Sequence, residues 1–193
     1  MKLQLPSVTL CCLTNKDFEG HKWAIDESCL DIDFGAVKLI WDEKCTSIDE
    51  WNRRIIQDLP KYVDTSHALL IHADGYVIHP EKWDDKWLEY DYIGAPWPLP
   101  TDDFSYRSES GRPIRVGNSV SLRSKRLMER VAQFEWKEYY GNTNEDGFIS
   151  VHHRDQLEKE GFKFATFEQA LDFGKEHELP EHEGRATFTF HAL

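Results

Sequence analysis

The order of apolar segments in the first 72 residues constrains the fold more than any other feature of the sequence. Three short apolar runs typical of buried strands occur at residues 8–14, 36–41 and 67–72. Between them, residues 19–30 are weakly helical, and residues 47–59 place apolar side chains at helical spacing behind a Ser47–Glu50 capping box. This alternation predicts an α/β fold, in which parallel strands are covered by helices on both faces.

The second half of the chain continues this pattern less regularly. We expect strands at 90–97 and 116–122, a strand in the alternating tail, and helices at 81–88 and behind Ser124, Asn144 and Thr166. Residues 98–115 have no apolar periodicity, and an irregular stretch of this length is usually functional or disordered. No domain boundary is visible, so we predict a single domain over residues 1–193, either as a whole protein or within a longer chain.

Composition excludes several classes of partner and location. A formal net charge of −12 argues against nucleic acid as a partner, because the phosphate backbone would repel the chain. No apolar run approaches the roughly 18 residues of a membrane-spanning helix. The four cysteines form no CxxC pair, which favours reduced thiols. We therefore expect a cytoplasmic protein without a membrane span.

Polar residues follow the predicted parallel strands at the edge where open α/β sheets bind ligands. This rule selects Thr14, Asn15, Asp42 and the His72-Ala73-Asp74 tip. An Asp-Gly pair between apolar runs is also the usual signal of a simple hairpin turn. A carboxylate at this edge could equally hold a divalent cation that bridges to phosphate oxygens of a ligand, so both interpretations stay open.

Further candidates lie elsewhere in the chain, each with a simpler alternative. Glu145 and Asp146 form an acid pair that could supply a general base, or could merely favour a helix start through the helix dipole. Arg53 and Arg54 suit phosphate contact, although helix-borne arginines are usually just solvated. Gly117-Asn118 could admit a ligand close to the backbone, or could be an ordinary strand entry.

Four segments, taken in order, resemble a known family. They are LLIHADGYVIHPEKWDDKWLEYDYIGAPWP, VGNSVSLRS, NEDGF and FTFH. They are similar to GT-A-fold glycosyltransferases whose pattern is an apolar strand, a D-G turn, a tryptophan, DYIGAPW, a Gly-Asn SLRS segment, an E-D pair and a late histidine. Such domains occur in bacterial polysaccharide clusters and in large algal viruses, where some glycosylate the capsid protein. The resemblance covers roughly residues 8–191, and YDYIGAPWP is its most specific part.

The resemblance implies a GT-A (Rossmann-like) domain with a mixed, mostly parallel sheet, and a metal-dependent enzyme. The D-x-D metal motif of GT-A enzymes is replaced here by His72-Ala73-Asp74, which leaves Asp74 as the main side-chain ligand. The late histidine maps to His191, which would complete the metal site. A ligand set of oxygen and nitrogen suits Mn²⁺ better than Mg²⁺. The chain also departs from the family at Ser119-Val120, where a Gly-Gly is common.

The implied reaction moves a sugar from a nucleotide sugar, with UDP the usual nucleotide, to a hydroxyl of a glycan or glycoprotein. We expect Asp146 to act as the base, with Glu145 as second choice, and the anomeric centre to invert. Thr14, Asn15 and Asp42 would line the nucleoside pocket, and Arg53 or Arg54 would approach the phosphates.

Acceptor binding and two rival functions complete the sequence-based expectations. Trp97 would offer an apolar face to the acceptor sugar, and the loop 98–115 would close over the donor. If the source is viral, the compartment is the host cytoplasm. The rival functions are a metal-dependent phosphoesterase and a non-catalytic sugar-binding module.

Overall fold

The computed structural model describes residues 1–139 and 144–192, and its centre is a five-stranded sheet. The strands are β1 (Leu3–Thr14), β2 (Ile32–Trp41), β3 (His67–Leu70), β4 (Tyr92–Pro96) and β5 (Val116–Ser124). Their order is β2-β1-β3-β5-β4. β1 pairs in parallel with β2 and β3, whereas β5 runs antiparallel to both β3 and β4. Four strands thus share one direction, which confirms the predicted mixed, mostly parallel α/β sheet.

The helices begin largely where the sequence signals place them. They are α1 (Phe18–Ser28), α2 (Ile48–Gln57), α3 (Lys125–Val131), α4 (Glu145–Gly147), α5 (Arg154–Lys159) and α6 (Phe167–Phe173). Side chains of Ser47, Ser124 and Thr166 each accept a hydrogen bond from a backbone N–H of the first turn. The Thr166–Gln169 capping box is complete, because Gln169 also accepts from the Thr166 backbone.

β1 lies in the middle of the core because its alternate side chains face opposite layers. Leu10 and Cys12 pack in the cluster that includes α1, whereas Cys11 and Leu13 pack in the cluster that includes α2. All four are fully buried. Removal of a side chain of leucine size from water stabilises the fold by about 1.5–3 kcal/mol. The first β-α-β-α-β unit is therefore held rigidly, and the residues at its strand ends are held with it.

A two-stranded parallel sheet attaches the C-terminal tail to the molecule. β6 (Gly174–Lys175) pairs with β7 (Thr189–Phe190), so that Lys175 lies opposite Phe190. The backbone N–H of His191 donates to the Lys175 carbonyl at 2.9 Å, and that of Ala192 donates to the Asp74 carbonyl at 2.9 Å. The tail is thereby fixed against the turn that follows β3.

Several sequence-based expectations are wrong in detail. The predicted helix 81–88 is two short 3₁₀ turns, Pro80–Lys82 and Asp85–Glu89, because the Asp84 side chain accepts from the Lys86 backbone and starts a new turn. The third strand ends at Leu70 rather than residue 72. The predicted tail strand spans only two residues.

The segment behind Asn144 is also less regular than predicted. Asn144 makes no side-chain cap hydrogen bond, and α4 continues as a π-helical turn at Phe148–His152. Residues 98–115 contain no helix and none of the strands β1 to β7, as predicted. Within the two described ranges, no helix is long and apolar enough to cross a membrane.

Candidate active site

A cavity of about 470 Å³ opens at the carboxyl ends of β1 and β3. Its wall consists of Thr14, Asn15, Lys16, Asp17, His21, Cys45, Thr46, Ser47, Ile48, Trp51, His72, Ala73, Asp74, Ser119 and His191. The volume lies within the roughly 300–1,000 Å³ of small-molecule sites. Five residues proposed from the sequence are brought together here: Thr14, Asn15, Ala73, Asp74 and His191.

The turn after β3 forms one rim of this cavity. His72 and Gly75 exchange both backbone hydrogen bonds, N to O at 2.8 and 3.3 Å, which leaves Ala73 and Asp74 at the tip. The Asp74 side chain is 65% exposed. A Cβ on Gly75 would lie 2.8 Å from His191 Cδ2, closer than such contacts allow. The glycine therefore permits close approach of the C-terminal tail to this turn. The residues of the turn also lie at the edge where open α/β sheets bind ligands, so both interpretations of the Asp-Gly pair apply.

Three side chains form a line across this rim. Asp74 Oδ1 lies 3.7 Å from His191 Nε2, and Glu176 Oε1 lies 3.4 Å from His191 Nδ1. Burial opposes protonation of His191, but the adjacent Glu176 carboxylate and the charges of Asp74 and Asp146 outweigh it and raise the pKa of the imidazole. Burial likewise opposes the charge on Glu176, yet the neighbouring His191 and Asn118 keep the pKa of that carboxyl low.

His72, two residues before Asp74, lies in surroundings that keep it neutral. The residue is buried, its Nε2 lies 2.8 Å from Ser119 Oγ, and its ring contacts Trp51 with centroids 5.3 Å apart. Burial, with the nearby positive charge of His191, lowers the pKa of His72 well below its ordinary value. This imidazole therefore contributes no charge to the cavity, and its Nε2 already has a partner.

The acid pair at α4 divides into two different environments. Glu145 Oε2 lies 2.7 Å from Arg123 Nη1, and both side chains are 1% exposed. Asp146 is half-buried, and burial together with the charge of Glu145 raises its pKa to about 7. Neither residue lines the cavity. Asp146 lies close enough to Glu176 and His191 that these charged groups affect one another's pKa values.

Three residues predicted to contact the donor, Asp42, Arg53 and Arg54, form ion pairs within the protein. Arg54 Nη1 lies 2.9 Å from Asp42 and 2.8 Å from Asp58. Arg53 pairs with Glu50, at 3.1 Å from its Nε to the carboxylate. Asp42, Arg53 and Arg54 are absent from the cavity wall. Ionic partners on or beside α2 therefore account for these charges, and the assignment of all three to the donor site stays a prediction.

Gly117 and Asn118 also lie outside the cavity wall, at the start of β5. The Trp97 indole covers Gly117 so closely that a Cβ there would lie 1.9 Å from the ring. Asn118 adopts a positive φ of 80°, its Oδ1 accepts from the Val120 N–H at 2.7 Å, and its carbonyl accepts from Tyr92 Oη. Trp97 is only 4% exposed, so the expectation that it offers an open face to a sugar is wrong.

The implied metal ion can be tested against these residues. No group of three or more His, Cys, Asp or Glu side chains arranged to hold a metal occurs in residues 1–139 and 144–192. Asp74 Oδ1 and His191 Nε2 are a pair, and at 3.7 Å apart both can contact one ion at metal–ligand distances of about 2.0–2.2 Å. Ions of this kind often use one or two protein ligands and complete their shell with substrate phosphates and water. The pair fits such a partial site.

Several residues of this site were not predicted from the sequence. Lys16 and Asp17 follow β1 directly, so the strand-end rule could have found them. Ser119, Trp51 and Glu176 come from elements whose approach depends on tertiary packing. Glu176 in particular lies beside His191 only because β6 and β7, of two residues each, pair in register.

Residues 37–191 match the model of a family described as Protein of unknown function (DUF5672). The chain belongs to the DUF5672 family. Comparison with curated proteins gives no match. The fold of this DUF5672 protein is similar to the crystal structure of a glycosyltransferase involved in the glycosylation of the major capsid of PBCV-1. The TM-score is 0.57 at 12% identity, over 96% of this chain and 92% of that chain, a likeness that establishes the fold alone.

Proposed function

We propose that this DUF5672 protein is a glycosyltransferase that moves a sugar from a nucleotide sugar, UDP being the expected nucleotide, to a hydroxyl of a glycan or glycoprotein. One observation carries the proposal. A cavity at the carboxyl edge of the sheet has the Asp74–His191 pair on its rim, and Asp146, with a pKa of about 7, lies nearby. The similarity in fold to a capsid glycosyltransferase supports the same reaction class.

The cavity has the two kinds of surface that a nucleoside diphosphate needs. Ile48 and Trp51 give it an apolar wall for a base, and the indole is fixed because Trp51 Nε1 donates to the Leu13 carbonyl at 2.7 Å. Thr14 and Asn15 supply polar groups at the end of β1. A few placed polar groups on a mostly apolar wall are typical of ligand pockets.

Charge in the cavity supports metal dependence. Of the described residues in its wall, Lys16 alone carries a permanent positive charge, whereas Asp17 and Asp74 are acidic. A diphosphate placed here would meet too little positive charge to balance its own. Asp74 and His191 would hold Mn²⁺ or Mg²⁺, which when bound neutralises the charge that grows on the leaving diphosphate.

Asp146 is the proposed general base. Its carboxylate takes the proton from the acceptor hydroxyl as that oxygen bonds to the anomeric carbon and the bond from that carbon to the diphosphate breaks. One displacement of this kind inverts the anomeric centre. A base with a pKa near the working pH combines adequate basicity with a large deprotonated fraction. Glu145 is the second candidate, but its pairing with Arg123 at 1% exposure leaves it less accessible than Asp146.

Thermal unfolding with a panel of nucleotide sugars, each with and without Mn²⁺, tests the proposal. A donor at about 100 times its dissociation constant should add roughly 2.7 kcal/mol of stability, and this gain should require the metal. The Asp146→Asn variant should bind the same donor but transfer no sugar to acceptor. Protection by no nucleotide sugar would refute the proposal. Release of free sugar independent of any acceptor would instead favour a hydrolase, and saccharide binding independent of nucleotide would favour a binding module.

A further inference from the structure

A second surface lies on the loop that connects β4 to β5. The Tyr106 ring is 41% exposed and packs on Trp97 with centroids 4.9 Å apart and planes at 53°. Trp97 is in turn seated over Gly117, at the start of β5. Tyr106 is thus the outer member of a two-ring stack that rests on the central sheet.

The loop that carries Tyr106 is built by specific hydrogen bonds. Asp102 Oδ1 accepts from the backbone N–H groups of Phe104 and Ser105 at 2.9 and 2.5 Å. The Ile114 N–H donates to the Tyr106 carbonyl at 2.7 Å, and the Ser110 N–H donates to Asp155 on α5 at 2.7 Å. These contacts hold Tyr106 at a φ of 49°, a left-handed conformation that a non-glycine residue keeps only when its surroundings impose it.

Trp97, on which Tyr106 packs, belongs to the same buried cluster as Val151, which lies in the π-helical turn that directly follows α4 and its Asp146. Burial, with the charges of Asp146 and Glu176, raises the pKa of the Tyr106 hydroxyl. The hydroxyl therefore stays protonated at neutral pH. A molecule that rests on the ring would have its polar edge close to Asp146.

We infer that Tyr106 is the platform of the acceptor sugar, with one apolar C–H face of a pyranose stacked on the ring and a hydroxyl directed to Asp146. This inference rests on the proposed function and adds the position and chemical class of the acceptor. A pyranose suits the place because it combines an apolar face with a polar rim, as the Tyr106 ring and the adjacent carboxylate do. The rigid Trp97 support lets the ring bind without a large loss of side-chain freedom.

Ligand-observed NMR tests the inference with methyl β-D-glucopyranoside, methyl β-D-galactopyranoside and methyl β-D-xylopyranoside, each in the presence of UDP and Mg²⁺. At least one should receive saturation at its ring C–H protons. Tyr106→Ala should weaken that glycoside at least about tenfold, equivalent to ~1.4 kcal/mol. UDP affinity should stay unchanged, which also shows that the variant is folded. Tyr106→Phe keeps the ring and should keep binding, as should Phe104→Ala, which removes a 72% exposed ring from the same loop.

The outcomes separate the two proposals. The acceptor proposal would be wrong if Tyr106→Ala kept its glycoside binding, or if none of the three glycosides received saturation from a protein that binds UDP. Neither result would affect the proposed donor site. Failure of the unchanged protein to bind UDP would instead count against the proposed function.

Discussion

Glu176 Oε1 lies 3.4 Å from Nδ1 of His191, whose opposite ring nitrogen faces Asp74 Oδ1 at 3.7 Å. A carboxylate behind a histidine is the usual support of a metal-binding imidazole, because it keeps the proton on one nitrogen and the lone pair on the other. The register of β6 and β7 produces this arrangement, since Lys175 opposite Phe190 places the next residues of both strands side by side.

Glu176→Gln should therefore weaken Mn²⁺ binding by about 10–100-fold, the usual loss when such a supporting group is changed. Electron paramagnetic resonance of free Mn²⁺, in the presence of UDP, measures the affinity without any turnover. Glu178→Gln is the matched control, because its 87% exposed side chain pairs only with Lys175 in the described contacts. Equal Mn²⁺ affinity in the two variants would show that Glu176 does not support a metal ligand.

Asp146 should give the reaction its pH dependence. A general base acts when deprotonated, so kcat/KM should fall about tenfold per pH unit below the pKa of Asp146, which is about 7. A cation bound close to the carboxylate would lower this pKa and move the fall to lower pH. Asp146→Asn should lose at least about 100-fold in turnover and lose this limb of the profile. A full rate in that variant would remove Asp146 from the mechanism.

The same carboxyl should make the protein less stable at high pH. Its pKa is raised from 3.8 to about 7 in the folded state, so folding favours the protonated form. That contribution is complete below about pH 4 and is lost as the pH rises through 7. The unfolding free energy of Asp146→Asn, relative to that of the unchanged protein, should consequently rise by on the order of 1–2 kcal/mol from pH 5 to pH 8. Urea unfolding at pH 5 and pH 8 measures the stability of both proteins. A difference in stability that is the same at the two pH values would contradict the prediction.

Local rules predicted one part of the site and missed another for a physical reason. Thr14, Asn15 and Asp74 follow parallel strands, and the carboxyl ends of such strands meet at one edge whatever the remaining packing. Arg54 could not be judged in this way, because its partners Asp42 and Asp58 come together only when α2 packs beside the end of β2.

The remaining misses depend on contacts between distant segments. Glu145 and Asp146 are adjacent in sequence, yet only the buried Arg123 distinguishes the ion-paired acid from the acid with a raised pKa. Ile48 fits the inner face of α2 by periodicity but is 69% exposed, because it lies at the first turn, where the helix meets the cavity. The role of His191 was implied by family resemblance rather than by its spacing.

Glu145 should matter to stability rather than to proton transfer. Glu145→Ala leaves Arg123 buried without its partner and should cost about 3–5 kcal/mol, measured by urea unfolding. Lys22→Ala is a comparison on the surface, since Lys22 and Asp26 are 53% and 58% exposed in their ion pair and the change should cost much less. If Glu145→Ala changed stability little but abolished transfer, the base would be Glu145 instead of Asp146.

Gly75 should be required for the position of His191. In Gly75→Ala the added methyl would lie 2.6 Å from Val120 Cγ2 and 2.8 Å from His191 Cδ2, so the turn and the tail must separate. We expect a loss of about 1–3 kcal/mol in unfolding free energy from overpacking, together with weaker Mn²⁺ binding as His191 moves relative to Asp74. Gly147→Ala is the matched control, because no atom of a neighbouring described residue lies within 4 Å of its added methyl and its helical φ of −65° suits alanine. Unchanged Mn²⁺ affinity in Gly75→Ala, despite the loss of stability, would show that the metal does not depend on the Asp74–His191 pair.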